Sequence, residues 1–152
     1  MPVKAFLNDQ LSLRVHIMHD AMQVGDFLEM ARFYAENLHY TERDLINIID
    51  GSADFSAMTR DDLATLAEVF ATLQRGLRTA MIRRSLWVCA DTHAWRLLEI
   101  WLKDRHSHDG RATDVYLVAT LDDGECAYDR AELEAVKHWR GFEQFATFAA
   151  AD

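Results

Sequence analysis

Apolar and polar residues alternate along residues 11–19, where one side carries only apolar residues: Leu11, Leu13, Val15 and Ile17. This period of two is typical of a strand with one buried face, and the Asn8-Asp9 step before it favours a short hairpin. From Val24 to Leu38 the apolar residues recur at steps of three and four, which indicates an amphipathic helix of about four turns. The beginning of the chain therefore predicts a strand or hairpin followed by a helix.

Three further apolar runs predict strands, at residues 45–49, 85–90 and 115–121. A helix is expected after two of them and near the end of the chain, because polar residues with capping spacing occur there: Thr59 with Asp62, Asp91 with Thr92, and Asp129 with Glu132. Alternation of this kind specifies helices packed around a mainly parallel sheet. The predicted fold class is α/β, with a four- to five-stranded mainly parallel mixed sheet and about four helices.

The chain is expected to form a single domain over residues 1–152. It has 50% hydrophobic and 27% charged residues, close to the average for globular proteins, and its six glycines are scattered singly. Residues 142–152 have a different pattern, in which Phe142, Phe145 and Phe148 recur at every third position. We predict that this tail docks loosely as a short helix or frays.

The net charge is −9 at pH 7 with histidine neutral. Such a surface repels phosphate backbones and anionic lipid headgroups, which argues against a nucleic-acid partner. Two cysteines are too few for a disulfide framework, and the N-terminal residues lack the apolar core of a signal peptide. No apolar run approaches the roughly 20 residues that cross a bilayer. We therefore expect a cytoplasmic protein with no integral membrane segment.

Three segments of the chain carry a resemblance to a known family. A strand runs into Asp20-Ala-Met-Gln-Val-Gly-Asp26-Phe27 and a helix, a second strand ends in Ile48-Ile49-Asp50, and a late segment reads Ala131-Glu-Leu-Glu-Ala-Val-Lys-His-Trp139. Together with the order of elements, these segments resemble the STAS-like or SpoIIAA-like domains of anti-sigma-factor antagonists and sulfate transporters. The resemblance covers nearly all of residues 5–140.

The resemblance implies a non-catalytic regulator that binds a protein partner, a nucleotide or a lipid. In open α/β sheets, ligands bind at the carboxyl ends of the strands, so we expect the protein partner or small ligand at the loops after the strands. Some members are switched by phosphorylation in the loop that here spans residues 50–59. The candidate binding residues are the polar side chains of this loop and of the loop after the next strand: Asp50, Ser52, Ser56, Thr59, Asp91 and Thr92. Phosphorylated members carry Asp-Ser-Ser-Gly where this chain has Met58-Thr59-Arg60-Asp61. We therefore interpret Thr59 as a helix cap, with phosphorylation of Ser52, Ser56 or Thr59 as the alternative.

Cys89 supports an alternative function, a small cysteine-dependent or hydrolytic enzyme. It precedes a predicted helix start, where the helix dipole lowers the pKa of a thiol, and His93 is close enough in sequence to act as its base. However, Arg96 follows Cys89 by seven positions, so the chain has no Cys-x5-Arg phosphatase loop. The apolar run around Cys89 favours a buried structural thiol. Catalysis is the less favoured interpretation.

The predicted helix after Asp91 is apolar on more than one side, because Trp95, Leu98 and Leu102 are offset from the stripe that runs from Ala94 to Trp101. The candidate residues for a further contact on this helix are Trp95, Leu98 and Trp101. We expect the C-terminal segment to cover the extra face, or a homodimer contact to form there. A groove for an apolar ligand or lipid is the third possibility, and it would make the protein a carrier.

No cofactor and no metal are predicted. The sequence contains neither Gly-x-Gly-x-x-Gly nor Gly-Lys-Ser/Thr. The cluster from Arg105 to Asp109 contains two histidines of metal-ligand type, yet its position favours a solvated helix end. His16 and His19 are interpreted as surface or edge residues. A cluster of four arginines is interpreted as solvated loop charges: Arg75, Arg78, Arg83 and Arg84.

Overall fold

The computed structural model describes residues 2–75, 84–102 and 114–150. Within these ranges, six strands and four α-helices are connected in the order β1 Val3–Asn8, β2 Leu13–Met18, α1 Val24–Glu36, β3 Asp44–Ile49, α2 Arg60–Arg75, β4 Arg84–Cys89, α3 Thr92–Leu102, β5 Asp114–Val118, α4 Arg130–Lys137 and β6 Glu143–Phe148. Short 3-10 helices occupy Leu38–Glu42 and Leu121–Cys126.

All six strands belong to one mixed sheet, in the order β5-β4-β3-β2-β1-β6. The strands β2 to β5 are parallel neighbours in chain order, and β1 is antiparallel to both β2 and β6. Right-handed crossovers between successive parallel strands place α1, α2 and α3 on one face of the sheet, here called face A. The return from β5 to β6 places α4 on the opposite face, face B. The predicted α/β class and mixed sheet are confirmed, but the sheet has six strands rather than four or five.

Face B is covered only in part. Residues Tyr128, Leu133 and Val136 pack with Leu13, Val15, Ile46, Leu86 and Val88 in one apolar cluster. The hydroxyl of Tyr128 donates a hydrogen bond of 2.9 Å to the carbonyl of Leu45 and so anchors this end of the cluster. Nearer the carboxyl ends of β2 and β3, Ile17 and Ile48 stay partly exposed. This leaves an open area on face B, and the candidate site borders it.

The helix starts predicted from capping residues are confirmed. Thr59 Oγ1 accepts a hydrogen bond from the amide of Asp62, and Asp62 accepts one from the amide of Thr59. Asp91 Oδ2 accepts from the amide of Ala94, at 2.8 Å. Asp129 and Glu132 form the same reciprocal pair at the start of α4. A capping box satisfies backbone N–H groups that the helix itself leaves unpaired.

The tail is a strand, and the prediction of a short helix or frayed end is wrong. The strand β6 pairs with β1, and its register shifts between Ala5 and Phe6, so that Phe145 is an extra residue in the ladder. The amide of Ala150 then donates to the Asp26 carboxylate, at 2.5 Å. The bulge at Phe145 explains the three-residue spacing of the aromatic side chains, because one extra residue resets the alternation of a strand.

The polar side of β2 is also buried, which corrects the interpretation of His16 as a surface or edge residue. His16 and Arg14 are each only 1% exposed, because they lie on face A beneath α1. The side chain of His19 is 19% exposed. Alternation therefore identifies the strand correctly but not its environment: β2 is an interior strand with helices over both faces.

The arginine cluster of residues 75–84 lies only partly within the described residues. Arg84 is not a solvated loop charge, because its guanidinium lies 2.8 Å from an Asp44 oxygen and 3.0 Å from a Glu132 oxygen. Arg78, Arg83 and the cluster from Arg105 to Asp109 lie outside the described residues, as does the side chain of Arg75.

Candidate functional site

The loops that follow β2, β3 and β4 meet at one edge of the sheet, here called the carboxyl edge. The first two loops are hydrogen-bonded to each other: the amide of Met22 donates to the carbonyl of Asp54, and the amide of Asp54 donates to the carbonyl of Asp20, both at 2.8 Å. The fold therefore places the predicted binding residues at the same edge of the sheet, most of them in the loop after β3. Asp50, Ser52, Ser56 and Thr59 lie in the second loop, and Asp91 and Thr92 begin α3 beside it.

Asp50 and Ser52 form the most connected part of this edge. Asp50 Oδ2 accepts hydrogen bonds from the hydroxyl and the amide of Ser52, at 2.7 and 3.1 Å. The hydroxyl oxygen of Ser52 accepts in turn from the amide of Asp20, at 3.2 Å. The hydrogen bonds from Ser52 lower the pKa of Asp50 below its usual value. Asp50 is therefore an exposed and ionised carboxylate whose position is fixed by its neighbour.

Ser56 and Thr59 are engaged within the same loop. The amide of Ser56 donates to Asp54 Oδ1 at 2.9 Å, and hydrogen bonds from Ser56 lower the pKa of the Asp54 carboxylate. Thr59 acts as the cap of α2, as the sequence predicts. Phosphorylation of Thr59 would place a dianion at the start of α2, beside the Asp62 carboxylate.

At this edge, carboxylates accept hydrogen bonds from backbone amides at the starts of the helices. The amide of Gln23 donates to Asp26 Oδ2, at 2.7 Å, and Asp62 and Asp91 bind backbone amides at the starts of α2 and α3. A helix start with free amides attracts phosphate, whereas these amides already bind negative groups. The carboxyl edge is therefore better suited to a positively charged group than to an anion.

A shallow groove of about 510 Å³ opens beside Asp50, on the uncovered part of face B. We call it the Trp139 groove; it is lined by Lys4, Phe6, Ile17, His19, Asp50, Ser52 and Trp139. Two of the residues predicted from the sequence, Asp50 and Ser52, thus border a concave surface. The remaining four predicted binding residues lie elsewhere on the edge.

Trp139 forms the wall of this groove. It follows α4, where the amide of Trp139 donates to Val136 and the amide of Arg140 donates to Ala135. This pattern is a Schellman motif, and its positive-φ position is usually glycine, yet Trp139 occupies it with φ of 53°. The conformation turns the indole over the sheet, where its centroid lies 4.7 Å from that of Phe6. Trp139 nevertheless remains 39% exposed.

Cys89 does not have the environment of a nucleophile. Its side chain is buried, and its Sγ donates a long hydrogen bond of 3.5 Å to the carbonyl of Asp91. Burial raises the pKa of the Cys89 thiol, and the nearby Asp91 charge raises it further. His93 is exposed on the first turn of α3, and no hydrogen bond between described residues joins it to Cys89.

Trp95, Leu98 and Trp101 differ in burial. Leu98 and Trp101 belong to the core on face A, where the Trp101 ring packs against Phe27 and Trp87 at centroid distances of 5.6 and 5.2 Å. Trp95 is partly buried, and its indole N–H donates to Glu99. The expectation that the C-terminal segment covers α3 is wrong, because β6 joins the opposite edge of the sheet.

Lys4, Phe6 and Trp139 are site residues that sequence reasoning does not find. In the sequence, Trp139 fits the apolar stripe of α4, which accounts for an aromatic residue there. Gly141 predicts that the helix ends nearby, but it does not tell whether Trp139 lies inside the helix or just after it. Lys4 carries no local signal.

Comparison with known proteins gives no relative: no family model, no curated protein and no solved structure matches the chain. Within residues 2–75, 84–102 and 114–150, no helix is long and apolar enough to cross a membrane. The same ranges contain no group of three or more His, Cys, Asp or Glu side chains that could hold a metal ion.

Proposed function

We propose that this protein is a non-catalytic cytoplasmic module of STAS-like architecture that binds a protein partner or a small ligand at its carboxyl edge. One observation carries the proposal: the loops after β2 and β3 are hydrogen-bonded to each other and hold the ionised Asp50 carboxylate beside the Trp139 groove. In open α/β sheets, ligands bind at this end of the strands.

The polar contacts at the edge support binding rather than catalysis. Asp50 bonds with Ser52, Asp54 bonds with Ser56, and Thr59 bonds with Asp62, so these groups are held within their own loop. A nucleophile and its base need to lie within hydrogen-bonding distance, and a reactive thiol needs a lowered pKa. Cys89 meets neither condition, which leaves the enzyme as the weaker alternative.

The charge of the edge favours one class of partner. Exposed carboxylates follow three successive strands, at Asp20, Asp50, Asp54 and Asp91. Opposite charges on two surfaces accelerate encounter and select among partners. The proposed partner therefore presents a basic surface, and a proposed small ligand carries a positive group.

The experiment compares immobilised wild-type protein with the double variant Asp50→Lys/Asp54→Lys in cell extract. Proteins and metabolites that the wild type retains are then purified and measured with it in solution. We expect at least one component that binds the purified wild type and loses about tenfold or more in affinity for the double variant. The control Glu36→Lys/Glu42→Lys makes the same charge change at exposed positions away from the carboxyl edge. Identical binding by all three proteins would contradict the proposal.

A further inference from the structure

The rim of the Trp139 groove carries charges of both signs. Lys4 projects from β1, opposite Ile17 of β2. No salt bridge joins Lys4 to any carboxylate in the described ranges, although the protein is strongly acidic. Asp50 lies across the groove, where the hydrogen bonds from Ser52 hold it ionised. His19 also lines the groove, and its Nδ1 lies 2.8 Å from Asp20 Oδ2; Lys4 and Asp50 are thus the cation and the anion that the groove offers to a bound molecule.

The spacing of these two charges suits a small molecule. Lys4 and Asp50 belong to β1 and to the end of β3, which lie on either side of β2. Because neighbouring strands are about 4.8 Å apart and each residue advances about 3.3 Å, the two Cα atoms are separated by roughly 12 Å. A molecule that contacts both charged side chains therefore has to span only the width of the groove.

The wall between the charges is aromatic. The Trp139 ring rests on Phe6, and it is exposed although it occupies a backbone position that disfavours tryptophan. An exposed indole face stacks against other planar rings and attracts cations. The floor is apolar at Ile17. Ring, cation and anion therefore surround a single opening.

The geometry points to a ligand class for this groove: a free, zwitterionic aromatic amino acid, with its ring against Trp139, its carboxylate on Lys4 and its ammonium on Asp50. This inference rests on the proposed binding function and specifies its small ligand. A zwitterion has no net charge, so the acidic surface does not repel it at long range. A peptide end carries only one of the two charged groups.

The test uses four probes of similar size: tryptophan, N-acetyltryptophan, tryptophan amide and N-acetyltryptophan amide. Binding to the full-length protein is followed through the indole N–H resonance of Trp139, which Trp139→Phe assigns. Tryptophan is expected to bind about tenfold more tightly than either singly charged probe, because each loses one charge-assisted hydrogen bond. The fully capped probe should bind most weakly.

Variants assign each charge to its residue. Lys4→Met should remove the preference for tryptophan over tryptophan amide, and Asp50→Asn should remove the preference over N-acetyltryptophan. Trp139→Gly lacks the reporter indole, so its binding is measured by titration calorimetry beside the wild type; it should lose binding while glycine relieves the strained backbone position. Lys137→Met and Trp95→Phe are the matched controls, because both residues lie outside the groove, and they should bind like the wild type.

Two results would overturn the inference: no shift of the Trp139 resonance with any probe, or equal affinity for tryptophan and the fully capped probe. Preference for one singly charged probe would assign the groove to a peptide end instead, and it would overturn the zwitterion. If these results appear while Asp50→Lys/Asp54→Lys still loses a partner from extract, only the ligand class is wrong. If extract binding is also unaffected, the proposed function fails.

Discussion

The Nε2 atom of His16 lies 2.6 Å from the hydroxyl oxygen of Tyr34. Its Nδ1 atom lies 2.9 Å from Asn47 Oδ1, so the ring is held at both nitrogens beneath α1. With Asn47 as the acceptor, Nδ1 carries the proton and Nε2 accepts from Tyr34. Burial, reinforced by the charge of Arg14, lowers the pKa of His16 to about 3. The buried histidine is therefore neutral at physiological pH.

This environment predicts a loss of stability in mild acid. An unperturbed histidine has a pKa of about 6.5, whereas the pKa of His16 in the folded protein is about 3, so the unfolded chain binds more protons between these values. The contribution of neutral His16 to the free energy of unfolding is fully present above about pH 6.5, and it is lost as the pH decreases toward 3. We expect His16 to account for roughly 2–3 kcal/mol of the loss between pH 7 and pH 4.5.

Urea unfolding at the two pH values measures this loss. His16→Gln should show a smaller difference between pH 7 and pH 4.5 than the wild type, whatever its stability at pH 7. His93→Gln, at an exposed position, should keep the wild-type difference. An unchanged difference in His16→Gln would contradict the prediction.

Arg14 and Arg84 have different partners, so we expect their substitution to change the stability of the protein differently. Within the described ranges, no carboxylate forms a salt bridge with the buried Arg14: its guanidinium donates to the carbonyl of Arg43 at 3.4 Å and lies 4.7 Å from the centroid of the Tyr34 ring. A buried charge without a partner opposes folding, so Arg14→Met should leave stability within about 1 kcal/mol of the wild type or raise it.

Arg84 is the matched case with two carboxylate partners. Its guanidinium bonds with Asp44 and Glu132, whose side chains are largely buried. Arg84→Met leaves both carboxylates without this cation and should cost about 2 kcal/mol. Chemical denaturation of both variants at pH 7 provides the comparison. A larger loss in Arg14→Met than in Arg84→Met would refute this account.

The close approach of Gly25 and Ala150 predicts how the C-terminal segment can be released. A Cβ atom at Gly25 would lie 2.8 Å from the Cβ of Ala150. Gly25→Ala should displace Ala150, break its hydrogen bond to Asp26 and cost about 1 kcal/mol. Hydrogen exchange of the Ala150 amide should become faster. Gly51→Ala is the control, since nothing lies within 4 Å of its added Cβ; faster exchange in both variants would exclude a local cause.

The two cysteines are expected to differ in reactivity. Cys126 is exposed and Cys89 is buried, so a thiol reagent should modify one site in the folded protein and both after unfolding. In Cys126→Ser the folded protein should not react at all, and His93→Ala should not change this result. Rapid modification of Cys89 in the Cys126→Ser protein near pH 6, slowed by His93→Ala, would instead support the alternative enzyme.

Local chemistry explains which elements the sequence predicts correctly. The pairs Thr59 with Asp62 and Asp129 with Glu132 mark helix starts because a capping box involves residues three positions apart. The apolar run in residues 45–49 predicts β3 because a strand covered on both faces needs apolar residues at nearly every position. Each of these signals is complete within a few residues.

The wrong predictions concern residues whose structure depends on contacts with distant parts of the chain. His16 resembles the solvent side of a strand, since alternation cannot tell whether a crossover helix will cover the polar side. In β6, the spacing of Phe145 and Phe148 matches a helix, but it results from a bulge that only pairing with β1 defines. Both aromatic rings pack near Phe33 of α1, at centroid distances of 6.1 and 5.4 Å.

The candidate site likewise contains one residue that a local sequence pattern predicts and two that only the fold brings together. Asp50 can be placed at the edge from sequence because a charged residue directly after a buried strand marks the strand's carboxyl end. Lys4 and Trp139 come from opposite parts of the sequence, and only the sheet order β3-β2-β1 and the position of α4 bring them to the same groove. No pattern within a short window contains that information.

The pairing of Val3 with Phe148 has a consequence for biosynthesis. Translation makes β1 well before β6, so the outer hydrogen-bonding edge of β1 has no partner until almost all the intervening residues have left the ribosome. An unpaired strand edge can recruit other chains, and contacts between residues so far apart in sequence form slowly. A nascent chain stalled before β6 would therefore be more prone to aggregation than the finished protein.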